Sequence, residues 1–294
     1  MSPTSKTPTF PVDSSVLRLI QFALREDIGT GDITSDYSID PSAQGAAKFL
    51  LKEEGVICGL PILPIIFRQL SDAVNIDFLV DEGSHNRVNT VVATVTGPAH
   101  ALLSGERTAL NFIQRMSGVA TKTRRYVDHI AGTSTRILDT RKTIPGWRLL
   151  DKYATAIGGA KNHRIGLYDM VMIKDNHITA CGGIRNAVER IVHDMGSRPN
   201  ISVEVEAQNL DDVQEILSCK GVHRVMFDNF MPALVSEGVA LVSGRLETEA
   251  SGGITFENIR QYASTGVDYI SVGAITHSAV ALDISMKLVV PRQS

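Results

Sequence analysis

A parallel α/β barrel placed behind a smaller, sheet-containing domain is the architecture this sequence predicts. Three observations carry it. After Thr133 short apolar runs alternate with amphipathic segments; no G-x-G-x-x-G fingerprint follows the first run; and polar residues recur at the run ends, at Asp139, Lys174, Glu206, Asp228, Glu249 and Gly273. The alternation means parallel strands joined by right-handed crossovers. Polar strand ends suit a barrel, whose βα loops build a site at one mouth, whereas a dinucleotide-binding sheet needs its glycine fingerprint in the first turn.

The elements follow in order. Residues 1–15, MSPTSKTPTFPVDSS, are rich in Ser, Thr and Pro and read as a disordered tail. Val16 to Arg25 has apolar residues at helical spacing and ends in the glycine-punctuated turn EDIGTGD. From Ala46 to Ala99 the runs AAKFLL, VNIDFLV and VNTVVATVTG predict a small sheet. Ala101 to Ile130 keeps a 3.6-residue rhythm through Leu102, Leu110, Ile113, Val119, Tyr126 and Ile130, interrupted around Ser117-Gly118, which predicts two consecutive helices leading into the second domain. The barrel strands are then RILDT, MVMIKD, ISVEVEA, HRVMFDN, RLETEA and DYISVGA, with helices such as LDDVQEILS and FENIRQYAS between them.

Composition narrows the function. A chain of 294 residues that is 43% hydrophobic can bury a large core, and a net charge of -3 without long runs of like charge excludes a general polyanion binder. Any basic site is therefore local. Cys58, Cys181 and Cys219 form no C-x-x-C pair, which argues against a disulfide framework and a structural zinc. With a tail lacking Arg and an apolar h-region, a cytoplasmic protein is expected. The longest apolar stretch, near Ile57 to Phe67, is broken by Gly59, Pro61 and Pro64, so no membrane span is predicted.

The chemistry concentrates at the strand ends. Arg141, Lys142, His163, Arg164 and Lys174 supply cations, and Glu206, Asp228 and Glu249 supply acids. Any one alone reads as a surface salt bridge worth little, but five cations at one mouth call for an anionic ligand. Lys174 follows the apolar run MVMI, so its stem is expected to be buried and its ammonium to need a partner. Ser251-Gly252-Gly253 and Gly273-Ala274 offer backbone N–H groups in the last two loops, the usual phosphate position in a barrel. Glu206 and Asp228 suit a hard ion such as Mg²⁺, or pairing with nearby cations. No H-E-x-x-H spacing exists, and Arg107 in SGERTALNF reads on its own as a solvated helical arginine.

The runs GERTALNFIQRMSGVAT, ILDTRKTIPGWRLLDKYA, GGAKNHRIGLYDMVMIKDNHI, VEVEA, MFDNF, EASGGI and DYISVGAITHSAVALDISMKL resemble those of quinolinate phosphoribosyltransferase, also called carboxylating nicotinate-nucleotide diphosphorylase. The resemblance covers about Glu26 to Leu288 and implies an incomplete, open α/β barrel beside an N-terminal α/β sandwich domain. It places the sandwich at residues 16–116 plus 278–294 and the barrel at 117–277. The implied reaction joins quinolinate to phosphoribosyl pyrophosphate, giving nicotinate mononucleotide, pyrophosphate and CO₂ in NAD synthesis. By resemblance, Arg141, His163, Arg164 and Lys174 surround the two carboxylates of quinolinate, and Lys142 lies between that substrate and the phosphoribosyl group. Glu206 and Asp228 face ribose and Mg²⁺-pyrophosphate. Ser251, Gly252, Gly253, Gly273 and Ala274 hold the 5'-phosphate, and Arg107 enters from the other subunit of a dimer. Three other readings stand beside this one: a homologous transferase or pyrophosphorylase-like protein for another aromatic acid, a Schiff-base lyase using Lys174, and a non-catalytic binder of phosphorylated metabolites.

Overall fold

A computed structural model describes residues 8–196 and 201–289. In chain order its elements are α1 (Ser14–Ile28), α2 (Ile33–Ser38), β1 (Gln44–Leu51), β2 (Gly55–Val56), α3 (Ile62–Arg68), β3 (Asn75–Phe78), β4 (His85–Asn86), β5 (Val91–Pro98) and α4 (Ala99–His129). Then come β6 (Arg136–Leu138), α5 (Arg148–Ile157), β7 (Val171–Ile173), α6 (Asp175–Cys181), α7 (Ile184–Asp194), β8 (Val203–Ala207), α8 (Leu210–Ser218) and β9 (Arg224–Asp228). The last are α9 (Pro232–Val242), β10 (Glu247–Ser251), α10 (Ile259–Ala263), β11 (Tyr269–Ser271), α11 (Ala274–His277) and β12 (Ile284–Val289). They form two compact units: Met1–Arg124 with Thr143–Gly159 and Ile275–Ser294, and Arg125–Lys142 with Ala160–Ala274.

In the first unit an antiparallel sheet runs β12-β1-β5-β3. β1 buries Ala47, Phe49 and Leu51 and exposes Lys48, the period-two pattern of a strand covered on one face. Phe49 stands opposite Met286 and Leu51 opposite Ile284, so the C-terminal segment returns to this unit. α1 begins where the Asp13 carboxylate accepts the N–H groups of Ser15 and Val16, both at 2.9 Å, and it buries Val16, Ile20 and Leu24 along one stripe.

Three sequence readings change here. Of the tail 1–15, residues 1–7 lie outside the described residues, as do 290–294 at the other end. Phe10, however, packs edge-on to Tyr153 at 5.0 Å and Asp13 caps α1, so an anchor and a cap order a stretch whose composition reads as disordered. The region predicted as two helices is one helix, α4, of 31 residues. A Cβ on Gly118 would collide with the Val280 carbonyl, and Ser117 Oγ accepts the Cys58 N–H at 2.9 Å. The small pair therefore marks close backbone packing and not a break. Finally, Thr143–Gly159 joins the first unit, not the barrel, because α5 buries Leu150, Tyr153, Ala154 and Ile157 in the core shared with α1 and β1.

In the second unit six strands run β7-β8-β9-β10-β11-β6, every neighbouring pair parallel. All six strands read from the sequence are present. From β7 to β11 the spatial order is the chain order, and β6, which precedes β7 in sequence, stands at the opposite edge. A doubly wound sheet reverses direction midway; this one does not. The order is that of a barrel left open between β6 and β7.

Candidate active site

A cavity of about 500 Å³ lies at the C-terminal ends of these strands. Arg141 and Lys142, which follow β6, line it together with Lys174, which follows β7 at the other sheet edge. Only a curled sheet brings both edges to one cavity. Arg164 lines it too, and burial together with the charge of Arg141 lowers its pKa, as expected of two guanidinium groups that share a small space.

Buried Asp139 explains why two separate motifs act together. Its carboxylate accepts the backbone N–H of His163 at 2.8 Å and the side-chain amide of Asn162 at 2.7 Å. A parallel bridge from Leu138 to Lys161 continues the join. The loop bearing Arg141 and Lys142 is thereby tied to the loop bearing His163 and Arg164.

Lys174 follows directly on its strand. Its side chain is 42% exposed, so the stem is not buried as expected, but its ammonium has a partner, the Glu206 carboxylate at 3.2 Å. His177, which carries no reactive motif, accepts the Lys174 backbone N–H through Nδ1 at 3.0 Å and so shapes the start of α6. A paired, half-exposed ammonium is the opposite of a desolvated Schiff-base lysine, which counts against the lyase reading. Burial raises the pKa of Glu206, Lys174 pulls it back, and the charge of Asp228 raises it again.

The phosphate-loop candidates divide. Ser251, Gly252 and Gly253 line the cavity, and Gly252 (φ 95°) and Gly253 (φ 61°) both adopt the left-handed region. A side chain at Gly252 would strike Asn229, whose N–H donates to the Ser251 carbonyl at 2.8 Å and whose amide donates to Asp228 at 2.9 Å. Gly273 and Ala274 follow the lining residue Ser271 but stand outside the lining itself. Arg107 is exposed on α4 in the first unit.

Glu249 does not sit at a strand end. It is fully buried within β10, and Ser251 ends the strand. With it lies Glu204, also buried, which sequence reasoning missed although the V-E-V-E alternation puts it on the same face as Glu206. His163 Nε2 lies 3.2 Å from Glu204 and 3.3 Å from Glu249, while its Nδ1 accepts the Arg164 N–H at 2.7 Å. Burial opposes a charge on the ring and the two carboxylates favour it, raising the His163 pKa. A second ring proton, however, would have to sit on Nδ1, which already accepts the Arg164 N–H, so the geometry holds the ring in its neutral form. Burial and the charge of Glu249 raise Glu204 to about 7. The three ligand atoms of His163, Glu204 and Glu249 lie within 4.8 Å of one another, a spacing that suits a metal ion. Yet a metal-bound imidazole donates from its other nitrogen, whereas Nδ1 here accepts, which leaves Nε2 to carry the ring proton.

The comparisons with known proteins agree with this geometry. A family model described as "Quinolinate phosphoribosyl transferase, C-terminal domain" matches residues 119–287, and the corresponding N-terminal domain model matches 32–117. The probable carboxylating nicotinate-nucleotide pyrophosphorylase of Bacillus subtilis is 43% identical over 277 residues, covering 94% of each chain. The decarboxylating quinolinate phosphoribosyltransferase 1b of Nicotiana tabacum is 41% identical, covering 92% of this chain and 81% of its own. Among solved structures, the nicotinate-nucleotide pyrophosphorylase of Francisella tularensis superposes with a TM-score of 0.91 at 39% identity, covering 98% of this chain and 100% of that one.

Proposed function

This chain belongs to the quinolinate phosphoribosyltransferase family, and from that premise we infer that it transfers the phosphoribosyl group of phosphoribosyl pyrophosphate to quinolinate with decarboxylation. The products are nicotinate mononucleotide, pyrophosphate and CO₂, a step of NAD biosynthesis. The observation that carries the reading is the convergence of Arg141, Lys142 and Arg164 on one cavity that also holds a glycine loop. Guanidinium forks suit a pair of adjacent carboxylates, and left-handed glycines let a phosphate approach the backbone.

The roles we assign are these. Arg141 and Arg164 grip the two carboxylates and aim the pyridine nitrogen at the anomeric carbon. His163 and Lys174 complete that half of the site, Lys142 sits between the substrates, and the Ser251-Gly252-Gly253 loop with Gly273 and Ala274 receives the 5'-phosphate. As the nitrogen attacks and pyrophosphate leaves, positive charge builds on the ribose, and Glu206 and Asp228 stabilise it more than the ground state. The C–N bond forms as the C–O bond to pyrophosphate breaks. The ring nitrogen is then cationic, so the adjacent 2-carboxylate departs as CO₂, its electron pair remains on C2 beside the cationic nitrogen, and a proton from solvent replaces it. No organic cofactor is needed for that step.

Glu206 and Asp228 also fit Mg²⁺. They are hard oxygen donors close enough that the charge of one raises the pKa of the other, and a divalent ion relieves such a pair. Bound there with the substrate, Mg²⁺ supplies charge neutralisation for the leaving pyrophosphate. A homodimer in which Arg107 serves the partner's cavity accounts for an exposed arginine on the first unit. Among the described residues no helix is long and apolar enough to cross a membrane; a cytoplasmic location is part of the same proposal.

Steady-state kinetics with quinolinate and nicotinate test the reading. A guanidinium left without its carboxylate is costly, so nicotinate should be poorer by about 10⁴-fold in kcat/KM. Comparable values for the two acids would exclude a dicarboxylate site.

A further inference from the structure

The interior of the second unit holds charge where a parallel barrel ordinarily packs Val, Ile and Leu. Glu204 on β8 is 1% exposed, and neither of its oxygens has a well-aligned hydrogen-bond donor among the described residues. Its near neighbour is the ring of His163, 3.2 Å away. Glu249 on β10 is better supplied. Arg224 Nη1 of β9 donates to it at 3.0 Å and Ser271 Oγ of β11 also donates to it. Arg224 in turn bonds Glu247 at 2.8 Å and stacks over Tyr269. A buried carboxylate with so little support is costly, and what it faces is one nitrogen of a residue that lines the cavity.

We propose that Glu204 and Glu249 are positioning residues for the dicarboxylate half of the site: holding His163 through Nε2, they set Nδ1 where it receives the backbone N–H of Arg164. The proposal rests on the functional reading above. The chain of contacts is short. The ring is buried, its Nδ1 bonded to Arg164 and its Nε2 facing both carboxylates at 3.2 and 3.3 Å without a well-aligned hydrogen bond. It therefore cannot rotate without breaking the 2.7 Å bond to Arg164 and leaving the carboxylates. That bond fixes the backbone from which the Arg164 guanidinium reaches the cavity, where its Nη1 also donates to the Met170 carbonyl at 3.3 Å. In that functional reading phosphoribosyl pyrophosphate is held by Glu206, Asp228 and the loops of Ser251 and Gly273, and not by His163 or Arg164. Losing the carboxylates should therefore weaken quinolinate and spare the other substrate.

Two measurements decide. The first is the tautomer of His163 in the intact protein, by ¹⁵N–¹H correlation of its ring, identified among the 8 histidines by its loss in His163→Asn. A proton on Nε2 with a bare Nδ1 is expected; a proton on Nδ1, alone or with Nε2, overturns the proposal. The second compares Glu204→Gln, which keeps an oxygen acceptor, with Glu204→Leu, which does not. The quinolinate KM should stay within about 3-fold of wild type in the first and rise about 30-fold or more in the second, with the KM for phosphoribosyl pyrophosphate within about 3-fold in both. A folded Leu variant in which both KM values rise together, or neither rises, overturns it. If Leu prevents folding, the ring tautomer decides, and a proton on Nδ1 overturns the proposal. A protein that does not use quinolinate at all refutes the functional reading instead, and the ring tautomer then still tests the contact by itself.

Discussion

Asp139→Ala is the substitution whose cost can be worked most directly from the structure. Among the contacts of the carboxylate are short bonds at 2.7 and 2.8 Å, within the charge-assisted range. They are not equal in consequence. Asn162 is exposed, so its amide turns to water when the acceptor is removed and little is lost. The His163 N–H is buried, so water does not readily replace the lost acceptor. One buried, charge-assisted bond broken on one side costs about 2 to 3 kcal/mol. Asp139→Asn keeps an oxygen for that N–H and should cost about 1 kcal/mol or less. Urea unfolding of the two variants and wild type measures the difference, read as midpoint shifts at constant slope. The same variants should show the order in function: Ala frees the loop of His163 and Arg164 and raises the quinolinate KM, while Asn changes it little. If Ala and Asn destabilise equally, or Ala costs less than about 0.5 kcal/mol, Asp139 does not tie the two loops and the account of the cavity is wrong.

Asp228→Ala should lower kcat far more than it weakens quinolinate, and activity should require Mg²⁺ or Mn²⁺; calorimetry showing quinolinate affinity lost with kcat retained would contradict the assignment. Gly252→Ala meets both a positive φ and the Asn229 side chain, so a loss of about 1 to 3 kcal/mol is expected in stability or in phosphoribosyl pyrophosphate affinity; no change in either removes the close approach as a constraint. Arg107→Ala and Lys142→Ala should each be nearly inactive as homodimers, yet mixing with subunit exchange should restore roughly a quarter of wild-type activity, since about half the random dimers carry one site with neither lesion. Exchange confirmed by mass spectrometry with no recovery places Arg107 in its own subunit's site or in none.

What was legible in the sequence was the part that repeats. Most barrel strands are apolar runs with a polar end, β10 (Glu247–Ser251) being an exception, and that pattern points to Arg141, Lys142, Lys174 and Asp228, all of which line the cavity. Long-range packing was not legible. Gly118 looks the same in sequence whether it breaks a helix or admits the Val280 carbonyl, and α5 is amphipathic whichever core receives it. Glu204 does not stand out in the sequence because an acid in an alternating strand ordinarily faces water; in a closed or nearly closed sheet the same alternation points it inward. Glu249 reads as a terminal residue because strand ends are read from composition, and the acid is followed by only Ala250 before the true end at Ser251.

The central claim is the decarboxylating transfer itself, and quinolinate labelled in its 2-carboxylate tests it most directly. With purified protein, Mg²⁺ and phosphoribosyl pyrophosphate, one labelled CO₂ should appear for each unlabelled nicotinate mononucleotide, and neither should form without phosphoribosyl pyrophosphate. Label retained in the nucleotide, or no nucleotide at all, contradicts the account.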